Sequence, residues 1–262
     1  MRIKSPILSC GTIGASEAVA RAGRGELQLV DCTWVPGDKS LETGHLSHTT
    51  AVLDTNTIKT LNVNARTPDV LASHFEAAGI SASPQIAIYD RAGLFSSTWG
   101  WWMLQELGYT CVVVQGWAEE AAASAPVSAT LSPREPHAVT ATLADILAAT
   151  DATQIIDARG PGRFHGTEPE PRAGVRSGHI PGSTNLPMSR IKSGNRFITP
   201  AETFVIIKEL GIDITAPIIT TCGSGITASA LAFVLSRAGA TDIRVYMGSW
   251  AEYGAFDHPI AT

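Results

Sequence analysis

Surplus positive charge is missing from this chain: 19 Lys and Arg stand against 24 Asp and Glu, a formal net charge of −5. A surface without excess cations does not track a phosphate backbone, so no nucleic-acid partner is expected. No apolar run approaches the ~20 residues that a spanning helix needs, and no membrane partner is expected either. Cysteine is scarce. Cys10, Cys32, Cys111 and Cys222 lie far apart, with no C-x-x-C pair and no Cys/His cluster. That spacing argues against a disulfide framework and a zinc site, and for a reducing compartment. No metal and no cofactor are expected. The N-terminus is a poor export signal, because Ser9, Gly11, Thr12, Gly14 and Glu17 interrupt its apolar residues. Ile7-Leu8-Ser9-Cys10 looks like a lipoprotein cleavage box but sits too close to Met1. A cytoplasmic location is the expectation.

What is present is an ordinary apolar fraction, 44%, which excludes wholesale disorder in a chain of 262 residues. That length suits two modest domains or one large one. Short β runs alternate with helical stretches. Leu27-Gln28-Leu29-Val30-Asp31, Gln85-Ile86-Ala87-Ile88-Tyr89 and Thr110-Cys111-Val112-Val113-Val114 read as strands, with a helix over 101–108 stopped by Gly108. The second half repeats the scheme at 154–157, 217–221 and 243–246, with a helix over 227–238 stopped by Gly239. Such alternation implies βαβ units and a mostly parallel sheet.

The halves also match in detail. Leu29-Val30-Asp31 corresponds to Ile155-Ile156-Asp157, and Gly44-His45-Leu46 to Gly178-His179-Ile180. His45 to Asp90 is 45 positions and His179 to Cys222 is 43; Asp90 to Trp117 is 27 and Cys222 to Trp250 is 28. Gly116-Trp117-Ala118-Glu119 echoes Ser249-Trp250-Ala251-Glu252. Four echoes in the same order indicate a tandem duplication. Residues 120–139 are rich in Ala, Ser and Pro, a linker composition stiffened by Pro126, Pro133 and Pro136. The expected division is a first domain over 1–122, a linker over 123–138 and a second domain over 139–262.

The segment richest in chemistry is Thr221-Cys222-Gly223-Ser224-Gly225-Ile226-Thr227. An apolar strand runs into Cys222, a loop with two glycines follows, and a helix starts near Thr227. Ligands bind at the carboxyl ends of strands in parallel α/β sheets. Gly223 and Gly225 let backbone N–H groups turn toward the sulfur, and the helix N-terminus adds about half a positive charge. Together these favour a reactive thiolate. The competing reading is an inert structural cysteine beside a tight turn, since free cysteines are among the most buried residues.

These residues resemble the active-site loop of the 3-mercaptopyruvate sulfurtransferases, within the rhodanese superfamily. Asp157-Ala158-Arg159, Gly162-Arg163-Phe164, Glu170-Pro171-Arg172, Gly178-His179-Ile180-Pro181-Gly182-Ser183 and Gly248-Ser249-Trp250 fit the same pattern. So do Trp101-Trp102-Met103 and Gly116-Trp117 in the first half. The resemblance implies an α/β protein of two tandem rhodanese-like domains, each a mostly parallel sheet flanked by helices. It implies that Cys222 takes sulfur from a small-molecule donor, 3-mercaptopyruvate or thiosulfate, and releases pyruvate in the first case. The resulting persulfide would pass its outer sulfur to cyanide or to a thiol acceptor such as thioredoxin or a small thiol, in two half-reactions. Gly223, Gly225, Ile226 and Thr227 would form the persulfide loop. Arg163 and Arg172 match the arginines that grip the substrate carboxylate and carbonyl, a task suited to paired guanidinium donors.

Ser224 matches a hydroxyl that relays a proton in the family, with a His and an Asp of the first domain as partners. Asp31 and Asp54 are both open as that acid, and Leu61-Asn62-Val63-Asn64-Ala65-Arg66 offers no histidine where the relay would need one. The sequence after His45 departs from the family pattern, and His45 and His179 read as structural. The first domain carries Asp90-Arg91-Ala92-Gly93 in place of the cysteine loop. A carboxylate cannot accept sulfane sulfur, so that domain is expected to be catalytically silent. Trp99 and Trp101 are open between cleft lining and core packing.

Three other readings compete. A phosphatase loop, C-x5-R, would need arginine at position 228, which is Ala228. Thiosulfate as donor is a dianion that favours cations within the loop, yet residues 223–227 are uncharged. A non-catalytic rhodanese-like binding module would have no need of Cys222 together with Arg163 and Arg172.

Overall fold

The computed structural model describes residues 10–35, 45–60, 67–81, 84–116 and 139–262. The expected linker, residues 61–66, Gly44, Trp117 and the start of the chain before Cys10 lie outside them. The described residues form two compact units.

The first contains β1 (Cys10–Gly14), α1 (Ala15–Gly23), β2 (Leu27–Asp31), β3 (Thr49–Val52), α2 (Thr55–Thr60), α3 (Pro68–Ala77), β4 (Gln85–Tyr89), α4 (Ser97–Glu106) and β5 (Cys111–Gln115). Its strands pair in parallel in the order β1-β5-β4-β2-β3. All five residues of β2 are buried, Gln28 and Asp31 included, as expected where helices cover both faces of a parallel sheet.

The second contains β6 (Thr140–Ala141), α5 (Leu143–Leu147), β7 (Gln154–Asp157), α6 (Pro161–Phe164), β8 (Thr184–Asn185), a 3-10 turn at Met188–Arg190, and the short ribbon β9 (Lys192–Ser193) with β10 (Arg196–Phe197). It continues with α7 (Pro200–Leu210), β11 (Ile218–Thr221), α8 (Ile226–Arg237), β12 (Ile243–Tyr246) and α9 (Ser249–Tyr253). Its parallel sheet runs β6-β12-β11-β7-β8. Strand for strand this is the order of the first sheet, so the duplication read from short sequence echoes is also a duplication of topology.

In each unit a central strand ends at the position that matters: β4 at Tyr89 before Asp90, and β11 at Thr221 before Cys222. The helix that follows is sunk in its unit. Every residue from Ser97 to Gln105 in α4 is buried, as is every residue from Ile226 to Leu235 in α8 except Thr227. A helix apolar on all sides belongs inside a core. Trp99 and Trp101 are fully buried. The helix expected over 101–108 begins earlier, at Ser97, and Gly108 ends its turn at φ +76°. Among the described residues no helix is long and apolar enough to cross a membrane.

Candidate active site

Cys222 follows β11 directly and is 2% exposed. Its Sγ lies 3.1 Å from the Gly225 amide nitrogen and 3.4 Å from that of Ser224, both donating toward it. Ile226, buried, opens the 12-residue α8, whose N-terminus brings the positive end of the helix dipole to the same loop. Thr227 is half-buried in the first turn. No side chain between 223 and 227 carries charge, so the loop's own contribution to the positive field at the sulfur comes from backbone dipoles.

The two glycines do different things. Gly225 has φ +87°, and a Cβ there would meet Met247 O and Sδ at 2.9 Å. Only glycine fits that turn without strain. Gly223 has no positive φ; a Cβ there would lie 2.9 Å from Arg163 Nη2. Its smallness admits a guanidinium, a reason distinct from the curl expected of both positions.

Arg163 reaches the loop from α6. It is held by Glu170, which accepts from Nε at 3.1 Å and from Nη2 at 2.5 Å. The same carboxylate accepts from Arg159 Nη1 at 2.9 Å. Arg159 is 3% exposed, donates to Asp157 at 2.7–3.2 Å and to Gly178 O at 2.8 Å, and stacks 4.4 Å from the Trp250 ring centre. Two carboxylates and two guanidiniums thus form one balanced, largely buried cluster beside the loop. Arg172, by contrast, is exposed, and its side chain makes no ion pair with the described residues. Sequence reasoning gives Arg159 and Glu170 no role; the signal that could find them is the clustering of three acids and three arginines within 157–172.

A turn from the end of β12 completes the surroundings. Ser249 Oγ accepts the Cys222 amide proton at 3.2 Å and lies 3.9 Å from Sγ, while Trp250 N donates to Cys222 O at 2.9 Å and Ala251 N to Gly223 O at 3.1 Å. Ser249 was also passed over as a site residue.

The other candidates have local duties. His179 Nδ1 pairs with Phe164 O at 2.9 Å, and its ring stacks on Phe164 at 3.7 Å. His45 Nδ1 pairs with Asp31 at 2.7 Å, and Arg91 Nε lies 3.0 Å from the same carboxylate. Asp54 caps α2; the Thr57 hydroxyl and then the Thr57 amide hold its carboxyl below the usual range. In the first unit Asp90 fills the place of the cysteine. Its carboxylate accepts amide protons from Ala92, Phe95, Ser96 and Ser97 at 2.7–3.2 Å. Burial pushes the Cys32 and Cys111 thiols up, which keeps them protonated and unreactive.

Residues 140–255 match the family model described as a rhodanese-like domain. The 3-mercaptopyruvate sulfurtransferase of Rattus norvegicus is 37% identical over 201 residues, 70% of this chain and 68% of that one. The enzyme of the same name from Escherichia coli K12 is 33% identical over 200 residues, 72% and 71% of the two chains. The thiosulfate sulfurtransferase of Cricetulus griseus is 33% identical over 201 residues, covering 70% and 67%. Among solved structures, SseA from Escherichia coli superposes with a TM-score of 0.78 over 92% of this chain and 99% of its own at 24% identity. Tum1 from Saccharomyces cerevisiae gives 0.81 over 96% and 97% at 23% identity. At those identities the structures establish the shared tandem fold, and the sequence relatives establish the kinship. The chain belongs to the 3-mercaptopyruvate sulfurtransferase and tandem-rhodanese family, and it is an enzyme of the sulfurtransferase class.

Proposed function

We propose that this chain moves sulfane sulfur from 3-mercaptopyruvate through a Cys222 persulfide to a thiol acceptor such as thioredoxin or a small thiol. The Cys222 thiolate attacks the donor sulfur and the carbon–sulfur bond breaks. The electron pair passes to the carbon as the enolate of pyruvate, which takes up a proton and leaves as pyruvate. Cys222 keeps the transferred sulfur as a persulfide. An acceptor thiolate then attacks the outer sulfur, and the electron pair of the broken S–S bond returns to Sγ. Arg163 binds the α-keto carboxylate, Arg172 adds a second cation from the same segment, and Ser224 passes the proton.

The observation that carries this reading is the Sγ held by two loop amides with the Arg163 guanidinium against Gly223. An uncharged loop with one partly neutralised arginine suits a monoanionic keto acid better than the thiosulfate dianion. The domain division follows the same reading: a silent first domain over 1–122, a linker over 123–138 and a catalytic domain over 139–262. The silence is supported by Asp90, whose carboxylate already occupies the anion cradle of the first unit.

The test is kcat/KM for mercaptopyruvate and thiosulfate side by side, with the mass of Cys222 followed after one turnover. The reading requires a mass gain of one sulfur on the Cys222 peptide, pyruvate in equal amount, and higher kcat/KM for mercaptopyruvate. A preference for thiosulfate would make thiosulfate the donor. No thiocyanate from any donor and cyanide would reduce the protein to a binding module. Cys222→Ser must abolish transfer.

A further inference from the structure

We propose that Ser249 is a positioning residue for the reacting sulfur: its hydroxyl holds the Cys222 backbone and donates to Sγ whenever that sulfur is negatively charged. This rests on the reading of Cys222 as the sulfur carrier.

Three observations meet at Ser249. It is fully buried, so its hydroxyl must find partners inside the protein. Its oxygen accepts from the Cys222 amide at 3.2 Å, and its proton has two acceptors within reach, Tyr246 O at 2.8 Å and Cys222 Sγ at 3.9 Å. Its backbone sits at φ +52°, a conformation that among the described non-glycine residues only His48 and Leu94 share. Glycine would occupy that position without penalty, so a serine there bears a cost that the fold itself does not require. Such strain is kept where a side chain does something that glycine cannot.

The hydroxyl has one proton and can rotate. With Sγ bonded to the outer sulfur and uncharged, Tyr246 O is the better acceptor. With Sγ a thiolate, the negative charge draws the proton across. Sγ carries charge in two steps: as the attacking thiolate, and as the leaving group when an acceptor removes the outer sulfur. At both, Ser249 adds a third donor to the amides of Ser224 and Gly225.

Two substitutions separate this role from a structural one. Ser249→Ala removes the hydroxyl and keeps the strained backbone; Ser249→Gly removes the hydroxyl and relieves the strain. Each is compared with wild type by urea denaturation, by iodoacetamide alkylation of the Cys222 peptide at fixed neutral pH, and by cyanide discharge of a preformed persulfide in a single turnover. Loss of one charge-assisted bond of this length should slow alkylation and discharge about five- to tenfold in both variants. KM for mercaptopyruvate should stay at the wild-type value while kcat falls. The glycine variant should nonetheless be the more stable of the two. Wild-type alkylation and discharge in the glycine variant would overturn the proposal, since activity would then follow the backbone alone. Cys222→Ser is the reference. If it is inactive while both Ser249 variants match wild type, only the role of Ser249 falls; if it retains transfer, the reading beneath falls too.

Discussion

Glu170→Gln removes a negative charge at the point where two guanidinium groups converge. The Glu170 side chain is 4% exposed and accepts from Arg159 Nη1, Arg163 Nε and Arg163 Nη2 at 2.5–3.1 Å. An amide keeps one acceptor oxygen and turns a donor toward a guanidinium, so at least one of these bonds is lost. Bonds to charged groups contribute about 1.5–3 kcal/mol each, and breaking a fully buried pair costs about 3–5 kcal/mol. Two features lower that figure here. Arg159 retains Asp157 and Gly178 O, and the Arg163 side chain is 27% exposed, so water screens it. The expected loss of stability is about 2 kcal/mol, or roughly 4–8 °C in Tm for a chain of this size. The catalytic consequence comes through Arg163. Released from Glu170, its long side chain regains rotamer freedom worth up to about 1.5–2 kcal/mol, which substrate must then remove. KM for mercaptopyruvate should rise about tenfold while kcat changes less than about threefold. Pyruvate release at steady state and urea denaturation measure the two effects. An unchanged KM in a destabilised variant would refute the claim that Glu170 orients Arg163; a lower KM would show that Glu170 competes with substrate for it.

Arg163→Ala should lower kcat/KM for mercaptopyruvate by roughly 10- to 150-fold, the worth of one charged hydrogen bond, with Arg163→Lys recovering part. Arg172→Ala should cost less, because that side chain has no fixed partner among the described residues. Persulfide formation at the wild-type rate in both alanine variants would remove the substrate-binding assignment. Gly225→Ala should destabilise the protein by about 2 kcal/mol or more, from φ +87° and the Met247 contacts. Gly223→Ala should cost less than Gly225→Ala, since its Cβ first meets the end of the Arg163 side chain and not backbone, yet it should weaken substrate use; urea midpoints in the reverse order would contradict the geometry. Burial raises the Asp145 carboxyl, but the Thr142 amide, the Arg244 guanidinium and the Thr142 hydroxyl outweigh it and bring it down to about 2. A depressed carboxyl stabilises above its unfolded value of about 3.9, and that stability is lost as pH falls toward 2. Asp145→Asn should therefore flatten the stability profile between about pH 4 and 2 and leave its shape near neutrality unchanged.

Local information was enough for the parts of this protein that depend on local physics. The predominantly apolar runs at 27–31, 85–89, 154–157 and 243–246 are strands with those bounds, because a strand covered on both faces is built mainly from apolar residues, with Asp31 and Asp157 closing two of them. The placement of Cys222 and Asp90 at equivalent strand ends could be read from spacing alone, since a duplicated chain keeps its order of elements. Tertiary structure decided what depends on distant partners. Gly225 but not Gly223 takes a positive φ, and Met247, 22 positions away, closes over it so that no Cβ fits. Glu170 joins Arg159 and Arg163 within one segment, but the Trp250 ring that stacks on Arg159 comes from α9, far along the chain. Ser249 reached the sulfur because β11 and β12 are neighbours in the sheet, which delivers the turns after both strands to one place. Hydrophobic periodicity is written along the chain, whereas hydrogen-bond partners and ion pairs are chosen by the packing of elements far apart in it.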